Sequence, residues 1–395
     1  MINMSEALNY FKDDELAASV WQGKYAQDGE SSPDDMHKRM AKEFARVERL
    51  YINDNEIGKK LQNHGILSNY GRSREELDEV KIYNFFKNFK YIVPQGSIMS
   101  QLGSKSIGSL SNCFVIGQPE DSYGGIMMKD EEMVQLMKRR GGVGIDISTL
   151  RPEGTNTSNA AKSSTGAVSF MHRFSNTTRE VAQKGRRGAL MISIDINHPD
   201  VIEFIKIKRD LTQVTGANIS IKLNKEFMEA VEKDEDYLLR FPCTEDLSGT
   251  SNTPYGELVK VYNKYEEKTG GTDVFIKRIK AREYWDEIIK SAHGVAEPGL
   301  MFWDSMVNYS PDGVYPQFKQ VTTNPCSEIG MQAYDACRLI VTVLLSFVKN
   351  PYTKEAYFDF EEFYKVNYEA MRLSDNLIDL ELEHIERIIT KLHND

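Results

Sequence analysis

Short apolar runs alternate with helical patterns from Tyr91 onward, and this alternation is the feature of the sequence that most restricts its fold. Each run is bounded by Gly, Ser or Pro and has the length of a buried strand. The runs lie at 91–93, 113–116, 143–147 and 190–194, and the helical patterns at 129–139, 170–181 and 199–208. Because strands that alternate with helices form a sheet covered by those helices, the sequence predicts an α/β domain.

The residues before this alternation have a different pattern. At 15–21 and 36–50, apolar residues recur at three- and four-residue spacing amid charged residues, which is typical of amphipathic helices. We therefore predict a helical N-terminal region at 1–90, followed by an α/β region at 91–395. The small polar residues at 154–166 predict a loop within that second region.

The composition excludes several classes of protein. The chain has 395 residues, of which 40% are hydrophobic, and a net charge of −10. No run approaches the roughly 18 apolar residues of a membrane helix, and the first residues carry no secretory signal. The sequence therefore predicts a cytoplasmic protein without a membrane segment, and the acidic balance argues against general nucleic-acid binding.

Four cysteines are scattered along the chain, and none is spaced as Cys-x2-Cys. They are Cys113, Cys243, Cys326 and Cys337. They are too few for a secreted disulfide framework, and their spacing does not fit a zinc site, so we expect no metal. Widely separated cysteines in a cytosolic chain indicate catalysis or simple burial.

An amide, a thiol and a carboxylate alternate at Asn324, Cys326 and Glu328. In an extended loop these three side chains would point the same way. An amide that orients a hydroxyl, together with a carboxylate that takes a proton, suits chemistry on a polyhydroxylated substrate. The other interpretation is that Asn-Pro forms a turn, Cys326 is a small buried residue and Glu328 is solvated.

Two further thiols could join this triplet. Cys337 follows Cys326 by eleven residues, and Cys113 lies far upstream. If the three thiols converge, one can act as a reactive centre while the other two exchange electrons as a dithiol and disulfide pair.

Five motifs occur in an informative order along the chain. They are Leu-Ser-Asn-Cys-Phe-Val at 110–115, Gly-Gly-Val-Gly-Ile-Asp-Ile-Ser-x-Leu-Arg-Pro-x-Gly at 141–154, Gln-Lys-Gly-Arg-Arg-Gly-Ala at 183–189, Asn-Pro-Cys-Ser-Glu-Ile at 324–329 and Tyr-Asp-Ala-Cys-Arg-Leu at 334–339. In this order they resemble the large, catalytic chain of ribonucleotide reductases, over nearly the whole sequence. Asn-Pro-Cys, with its eleven-residue gap to the next cysteine, is most similar to the adenosylcobalamin-dependent class.

The resemblance implies reduction of ribonucleotides to 2′-deoxyribonucleotides and gives a role to each residue of the motifs. Cys326 would become the thiyl radical that removes the 3′ hydrogen, and Glu328 would be the base on the 3′ hydroxyl. Asn324 would hydrogen-bond the ribose hydroxyls. Cys113 would protonate the departing 2′ hydroxyl and then form a disulfide with Cys337.

The resemblance also implies substrate and effector sites. The residues implied to contact substrate, besides Asn324, are Ser97, Asn112, Gly141, Gly142 and Leu339. Those implied to bind a deoxynucleotide effector are Asp121, Ser122, Arg151, Gln183 and Arg187, the last two in a loop that relays effector identity to the substrate base. From the residues alone, Asp121-Ser122 could be an ordinary turn, Arg151 a surface ion pair and Gly141-Gly142 a helix stop. Cys243 matches no motif of the family, so we expect it to be structural.

The fold that the resemblance implies is the ten-stranded α/β barrel of the family, here incomplete. Only 58 residues follow Cys337, so the second half of the barrel would come from a C-terminal complementing polypeptide or a downstream segment. The resemblance further implies adenosylcobalamin as cofactor, a dNTP effector, thioredoxin or a similar reductant, and a homodimer.

Three other interpretations stay open. The chain could belong to the metal-radical class, which requires a separate radical-generating subunit. It could be a non-catalytic nucleotide-binding partner, although retention of three cysteines with Asn324 and Glu328 weighs against this. It could also be a thiol–disulfide oxidoreductase without a nucleotide substrate, which would require a thiol of low pKa.

Overall fold

The computed structural model describes residues 4–52, 75–181, 188–243, 251–253, 256–262 and 273–394. The helices are α1 (Met4–Tyr10), α2 (Glu15–Lys24), α3 (Pro33–Ile52), α4 (Glu79–Phe86), α5 (Ser97–Gln101), α6 (Tyr123–Met137), α7 (Gly166–Glu180), α8 (Val201–Lys206), α9 (Lys225–Lys233), α10 (Ala281–Val295), α11 (Trp303–Tyr309) and α12 (Phe360–Asn394). The strands are β1 (Ile92–Pro94), β2 (Cys113–Val115), β3 (Gly142–Asp146), β4 (Leu190–Asp195), β5 (Asn218–Leu223), β6 (Asp236–Cys243), β7 (Ser251–Thr253), β8 (Gly256–Tyr262), β9 (Asp273–Lys280), β10 (Gly299–Phe302), β11 (Gln320–Thr323), β12 (Gly330–Gln332), β13 (Asp335–Cys337), β14 (Ile340–Thr342), β15 (Val348–Lys349) and β16 (Tyr357–Phe358).

The chain divides into two compact units. Over the described residues, the first, the helical unit, comprises 4–52, 75–112 and 337–394. The second, the sheet unit, comprises the described residues of 113–181 and 188–336. The helical unit therefore joins segments from both ends of the sequence.

The core of the helical unit forms between the N-terminal helices and α12. Its buried apolar side chains include Phe44, Phe86 and Leu377. Arg372 on α12 donates from Nε to Oε1 of Glu48 on α3 over 3.0 Å, and both side chains are buried. A buried ion pair with matched hydrogen bonds thus lies in the contact between α3 and α12.

Five parallel strands form the centre of the sheet unit. Their order is β10-β5-β4-β3-β2, and β13 lies beside β2 at one edge. On one face, apolar side chains such as Val143, Ile192 and Ile219 pack into a core with Phe174 of α7 and Phe227 of α9. The α/β fold predicted from the alternation of strands and helices is confirmed.

The opposite face of the same strands carries small or polar side chains. Successive residues of a strand point to opposite faces of the sheet, so Gly144, Ser193 and Lys222 face away from that apolar core. The antiparallel hairpin β11–β12 lies on this polar face. There, the hydroxyl oxygens of Ser193 and Thr322 are 2.6 Å apart.

Smaller antiparallel sheets accompany this central sheet. Their orders are β6-β9-β8-β7, β1-β14 and β15-β16. Within the described ranges no sheet closes on itself, so the structure confirms a mixed α/β fold but not a ten-stranded barrel. Over the same ranges, no helix has both the length and the apolar character that a membrane span needs.

Candidate active site

Cys326 lies in the turn of the β11–β12 hairpin, which we call the cysteine hairpin (residues 320–332). The turn is tight, because the amide of Ser327 donates to the carbonyl oxygen of Asn324 over 3.0 Å. Ser327 itself has a positive φ of 68°. Cys326 and Glu328 are exposed, whereas Asn324 is fully buried. The expected extended loop is therefore a turn, since this hydrogen bond folds the chain back on itself.

The side chain of Asn324 connects two points of this turn. Its Nδ2 donates to Oε1 of Glu328 over 2.8 Å. Its Oδ1 accepts from the amide of Ile329 at 3.3 Å. The turn thus brings the predicted amide and carboxylate into contact, and the second oxygen of the Glu328 carboxylate gives it further capacity to accept a hydrogen bond or a proton.

The polar face of the sheet holds the cysteine hairpin along its length. A Cβ at Gly144 would lie 1.9 Å from the carbonyl oxygen of Thr323, so only glycine allows this approach. Nearer the turn, Nδ2 of Asn218 donates to the carbonyl oxygen of Pro325 at 3.5 Å. These contacts fix the backbone on the β11 side of the hairpin, up to the residue before Cys326.

A buried charge network lies beneath the root of the hairpin. Nζ of Lys222 is 2.8 Å from Oδ2 of Asp146 and 3.1 Å from Oδ1 of Asp195, and it donates to the carbonyl oxygen of Val321 over 3.2 Å. Oδ2 of Asp146 also accepts from the hydroxyl of Ser193 at 2.8 Å. Burial alone would lower the pKa of Lys222, but the two carboxylates outweigh burial and raise it.

Sequence reasoning did not find this network, although a signal was present. In β4 and β5, isoleucine alternates with polar residues, as in Ile192-Ser193-Ile194 and Ile219-Ser220-Ile221-Lys222. A fully buried strand with a polar residue at every second position has one face reserved for polar contacts. The alternation therefore marks the face on which the hairpin lies.

Cys113 is buried at the first position of β2. In the parallel pair β2–β3 it lies opposite Gly142. A Cβ at the adjacent Gly141 would come within 2.6 Å of the Phe114 ring. The two predicted substrate glycines thus lie beside Cys113 in the sheet unit, and the absence of a Cβ at Gly141 is required by packing.

Four other predicted residues lie near one another in the helical unit. The amide of Asn112 donates to the carbonyl oxygen of Cys337 over 2.9 Å, and that of Gln95 donates to the carbonyl oxygen of Leu339 over 2.9 Å. Ser97 is buried at the start of α5, two residues after Gln95. Backbone hydrogen bonds therefore bring Ser97, Asn112, Cys337 and Leu339 into one region.

A cavity of about 270 Å³ in the sheet unit is lined by the three effector candidates that the structure describes. Arg151 donates from Nε to Oδ2 of Asp121 over 2.8 Å, and from Nη1 to the carbonyl oxygen of Asn156 over 2.8 Å. The hydroxyl of Ser122 accepts from the amide of Gly125 at 3.0 Å and caps α6. The three residues therefore meet at one cavity, while they also form the ion pair and the turn that the alternative interpretation predicted.

The loop at 154–165 forms another wall of this cavity, and Asp200 connects its two ends. Oδ1 of Asp200 accepts from the amide of Glu153 at 3.1 Å, and Oδ2 accepts from that of Ala167 at 2.9 Å. Nearby, burial, with the carboxylates of Asp200 and Glu153, raises the pKa of Glu203 to about 7. The buried carboxylate of Asp200 thus holds the two ends of the loop together.

Some sequence predictions fall elsewhere. Gln183 and Arg187 lie outside the described residues. Cys243 is the last residue of β6. Among the residues whose structure is described, no group of three or more His, Cys, Asp or Glu side chains is placed to hold a metal ion.

Comparison with known proteins gives a consistent set of relatives. The family model of the ribonucleotide reductase barrel domain matches residues 111–394. The chain is 28% identical to a vitamin B12-dependent ribonucleoside-diphosphate reductase of Thermoplasma acidophilum, over 94% of this chain and 49% of the relative. It is 27% identical to a reductase of the same name from Mycobacterium tuberculosis, over 74% of this chain and 37% of the relative. It is 25% identical to the ribonucleoside-diphosphate reductase large subunit of Variola virus, over 85% and 44%.

The extent of these matches determines what they establish. The chain spans about half, or less, of the length of the curated relatives that it matches. The family match, in contrast, covers more than two thirds of the chain and includes Cys113 and the whole cysteine hairpin. The chain therefore belongs to the ribonucleotide reductase family, through its barrel domain.

Proposed function

We propose that this chain is a catalytic portion of a ribonucleotide reductase and that it converts ribonucleotides to 2′-deoxyribonucleotides by thiyl-radical chemistry. The observation that carries the proposal is the cysteine hairpin. It presents the exposed Cys326 in a turn where the amide of Asn324 is bonded to the carboxylate of Glu328. A thiol, an amide and a carboxylate in one rigid turn can act together on adjacent ribose hydroxyls.

Each residue of the turn has one task in this reaction. The Cys326 thiyl takes the 3′ hydrogen atom of the ribose, while Glu328 accepts the proton of the 3′ hydroxyl. Asn324 donates to a ribose hydroxyl and holds the substrate in register. At the end of the cycle the 3′ hydrogen returns from Cys326, so this thiyl is regenerated.

Two further thiols supply the reducing equivalents. Cys113 donates a proton to the 2′ hydroxyl, which leaves as water. The thiols of Cys113 and Cys337 together lose two electrons and two protons and become a disulfide, and the substrate gains the hydrogen that replaces its 2′ hydroxyl. Thioredoxin or a similar dithiol returns the pair to the reduced state by disulfide exchange. This pairing rests on the likeness of the motifs to those of the family.

The cofactor that we propose is adenosylcobalamin. Two relatives are named vitamin B12-dependent reductases, and the exposed thiol of Cys326 fits the role of a group that is oxidised from outside the chain. When bound, adenosylcobalamin supplies the radical equivalent that makes a thiyl of Cys326. Asn324 and Glu328 then confine the radical to one position on the substrate.

We propose that the cavity bordered by Asp121, Ser122 and Arg151 binds a deoxynucleotide effector. The guanidinium of Arg151 can donate two hydrogen bonds to phosphate oxygens. If a bound phosphate replaced Asp121 as the partner of Arg151, occupancy of the cavity would be coupled to the adjacent loop. Gln183 and Arg187 would relay the identity of the effector to the substrate base. Such a relay is a coupling free energy between two sites.

We further propose that turnover requires a C-terminal reductase polypeptide and that the assembled enzyme is a homodimer. The chain spans about half the length of its relatives, and α12 exposes apolar side chains along one face. The open sheet of the sheet unit would then be part of the ten-stranded barrel of the family.

The test is an anaerobic assay for deoxycytidine nucleotide. The pure chain is incubated with adenosylcobalamin, dithiothreitol, CDP or CTP and a dNTP, with and without a C-terminal reductase polypeptide. We expect product only when that polypeptide is present, and none from Cys326→Ala. Cys243→Ala is the matched control, and it should retain the activity of the unaltered chain.

Two outcomes would contradict the proposal. Product from Cys326→Ala would remove the thiyl from the mechanism. The other outcome is that the complemented chain forms no product with adenosylcobalamin but forms product when a metal-radical subunit is added. That result would replace the cobalamin cofactor by a separate radical source.

A further inference from the structure

Lys222 is a buried cation that has no part in the reaction described above. Its side chain is 5% exposed, and that of the adjacent Asp146 is fully buried. An ammonium group has three N–H donors, and Lys222 has three acceptors within 3.2 Å: the carboxylates of Asp146 and Asp195 and the carbonyl oxygen of Val321. Its hydrogen-bonding capacity is therefore filled.

The three acceptors have different origins. Asp146 and Asp195 end strands β3 and β4, so they belong to the rigid parallel sheet. Val321 belongs to β11, at the root of the cysteine hairpin. The ammonium group therefore connects the sheet directly to the backbone that leads to Cys326.

A second connection runs in parallel to the first. Oδ2 of Asp146, which pairs with Lys222, also accepts from the hydroxyl of Ser193. The Ser193 hydroxyl is in turn 2.6 Å from that of Thr322, and both residues are fully buried. In a buried region such links are strong, since a broken one leaves a polar group without water or partner.

We propose that Lys222 is a positioning residue for the reactive cysteine, acting through Val321 and, by way of Asp146 and Ser193, through Thr322. The inference rests on the proposed function in that Cys326 is the reactive thiol. The sheet holds the Lys222 ammonium group in place, and the ammonium group in turn fixes the position and direction of the β11 backbone at Val321. An error of about 1 Å in a reacting group can lower a rate about 100-fold, so this anchoring bears directly on turnover.

The first test measures hydrogen exchange of backbone amides in the chain alone. In Lys222→Met we expect amides of the hairpin, 320–332, to exchange at least about tenfold faster, while those of α7 and α10 stay within about twofold. Lys225→Met is the control. Lys225 pairs with Glu229 of the same helix, α9, at 3.6 Å and is exposed, so its loss should leave hairpin exchange unchanged.

A pair of small substitutions keeps the test valid if Lys222→Met does not fold. Thr322→Val keeps the shape of the side chain and removes its hydroxyl, whereas Thr322→Ser keeps the hydroxyl. We expect faster hairpin exchange in Thr322→Val and exchange close to that of the unaltered chain in Thr322→Ser. Equal exchange in these two variants, or unaltered hairpin exchange in a folded Lys222→Met, would overturn the proposal.

The second test separates positioning from general destabilisation. In the complemented enzyme, Thr322→Val should lower kcat about tenfold or more with KM within about twofold, and Thr322→Ser should restore kcat. A rise in KM with unchanged kcat would contradict positioning of the thiol. The exchange measurement needs no turnover. It therefore tests whether Lys222 anchors the hairpin even if the proposed function fails.

Discussion

At Gly144 the backbone of the sheet and that of the cysteine hairpin approach closely. The nearest atoms to an added Cβ are the carbonyl oxygen and carbon of Thr323, at 1.9 Å and 3.0 Å. Both belong to the backbone, so Gly144→Ala cannot be accommodated by a change of rotamer. We expect a loss of about 1–3 kcal/mol in the free energy of unfolding, measured by urea denaturation, and displacement of the hairpin that carries Cys326.

Gly294 provides the control for this substitution in the same unit. It lies in α10, and an added Cβ would meet no heavy atom within 4 Å. Gly294→Ala should therefore raise the free energy of unfolding by up to about 1 kcal/mol, because alanine favours helix. Equal effects of the two substitutions would mean that the close approach at Gly144 has no energetic consequence.

Glu203 predicts a pH dependence of stability. Its pKa is raised from the ordinary 4.5 to about 7, first by burial and then by the carboxylates of Asp200 and Glu153. Between these two values the folded chain holds a proton that the unfolded chain has released. Stability due to Glu203 is therefore greatest below pH 4.5 and is lost as the pH rises to about 7.

Glu203→Gln removes this titration. We expect the variant to be more stable than the unaltered chain at pH 8 and equal to it near pH 4.5, as measured by denaturant midpoints at several pH values. A constant difference between the two proteins over this range would show that Glu203 titrates normally in the folded state.

Individual residues of the site differ in how far the sequence could predict them. The spacing of Asn324, Cys326 and Glu328 made them candidates but left an ordinary turn as an open alternative, and in the structure Asn324 and Glu328 are in contact. Their geometry was not predictable from spacing, because the Ser327–Asn324 hydrogen bond forms a turn where alternation favoured an extended loop. The contact of Lys222 with Val321 joins residues that are far apart in the sequence, so no local pattern contains it.

At the scale of elements, the loop at 154–165 depends on Asp200. Its carboxylate accepts from the amides of Glu153 and Ala167, which flank the loop, and it is buried. Asp200→Ala should leave two amides unsatisfied, at a cost of about 1–3 kcal/mol each in local stability. We expect faster hydrogen exchange in the loop and weaker binding of a fluorescent deoxynucleotide to the cavity.

Asp210→Ala is the control for this prediction. Asp210 is an exposed carboxylate of the same unit that accepts only from local partners at Thr212 and Gln213 among its described hydrogen bonds. Its loss should affect neither loop exchange nor nucleotide binding. If Asp200→Ala binds nucleotide as well as Asp210→Ala does, the loop does not contribute to the cavity's affinity.

Elements were predicted well where their signals are local. The helical patterns at 129–139 and 170–181 lie largely within α6 and α7, and the apolar runs correspond to β1–β4. α6 begins earlier than its pattern, at Tyr123, because the hydroxyl of Ser122 caps it by accepting the amide of Gly125. The β11–β12 hairpin has no strong apolar pattern, and the neighbouring sheet stabilises it instead.

At the scale of the whole molecule, the two ends of the sequence combine in one unit. α12 packs against α3 through the buried pair Arg372–Glu48, and Asn376 donates to the same carboxylate over 2.6 Å. The apolar periodicity identifies each helix separately but does not indicate which helices pack together. Apolar contacts and a buried ion pair between positions distant in the sequence form this packing, which explains why the sequence predicted a helical N-terminal region without its C-terminal partner.

The face of α12 that points away from this pair bears on assembly. Its apolar side chains follow a helical spacing and are largely exposed, with Tyr364 at 70%, Met371 at 65% and Leu382 at 53%. Exposed apolar stripes of this length mark interaction surfaces. The proposed function requires a C-terminal reductase polypeptide, and we predict that this polypeptide binds the exposed apolar face of α12.

The double substitution Met371→Glu, Leu382→Glu tests this assignment. Two charges in an apolar interface should weaken binding of the C-terminal polypeptide at least about 100-fold, measured by sedimentation, while circular dichroism of the chain alone stays unchanged. The matched control removes the exposed Glu361–Lys365 pair of the same helix, which should have little effect. Unchanged binding in the double variant would exclude this face from the interface. Self-association that the double variant abolishes would assign the face to a second copy of the chain.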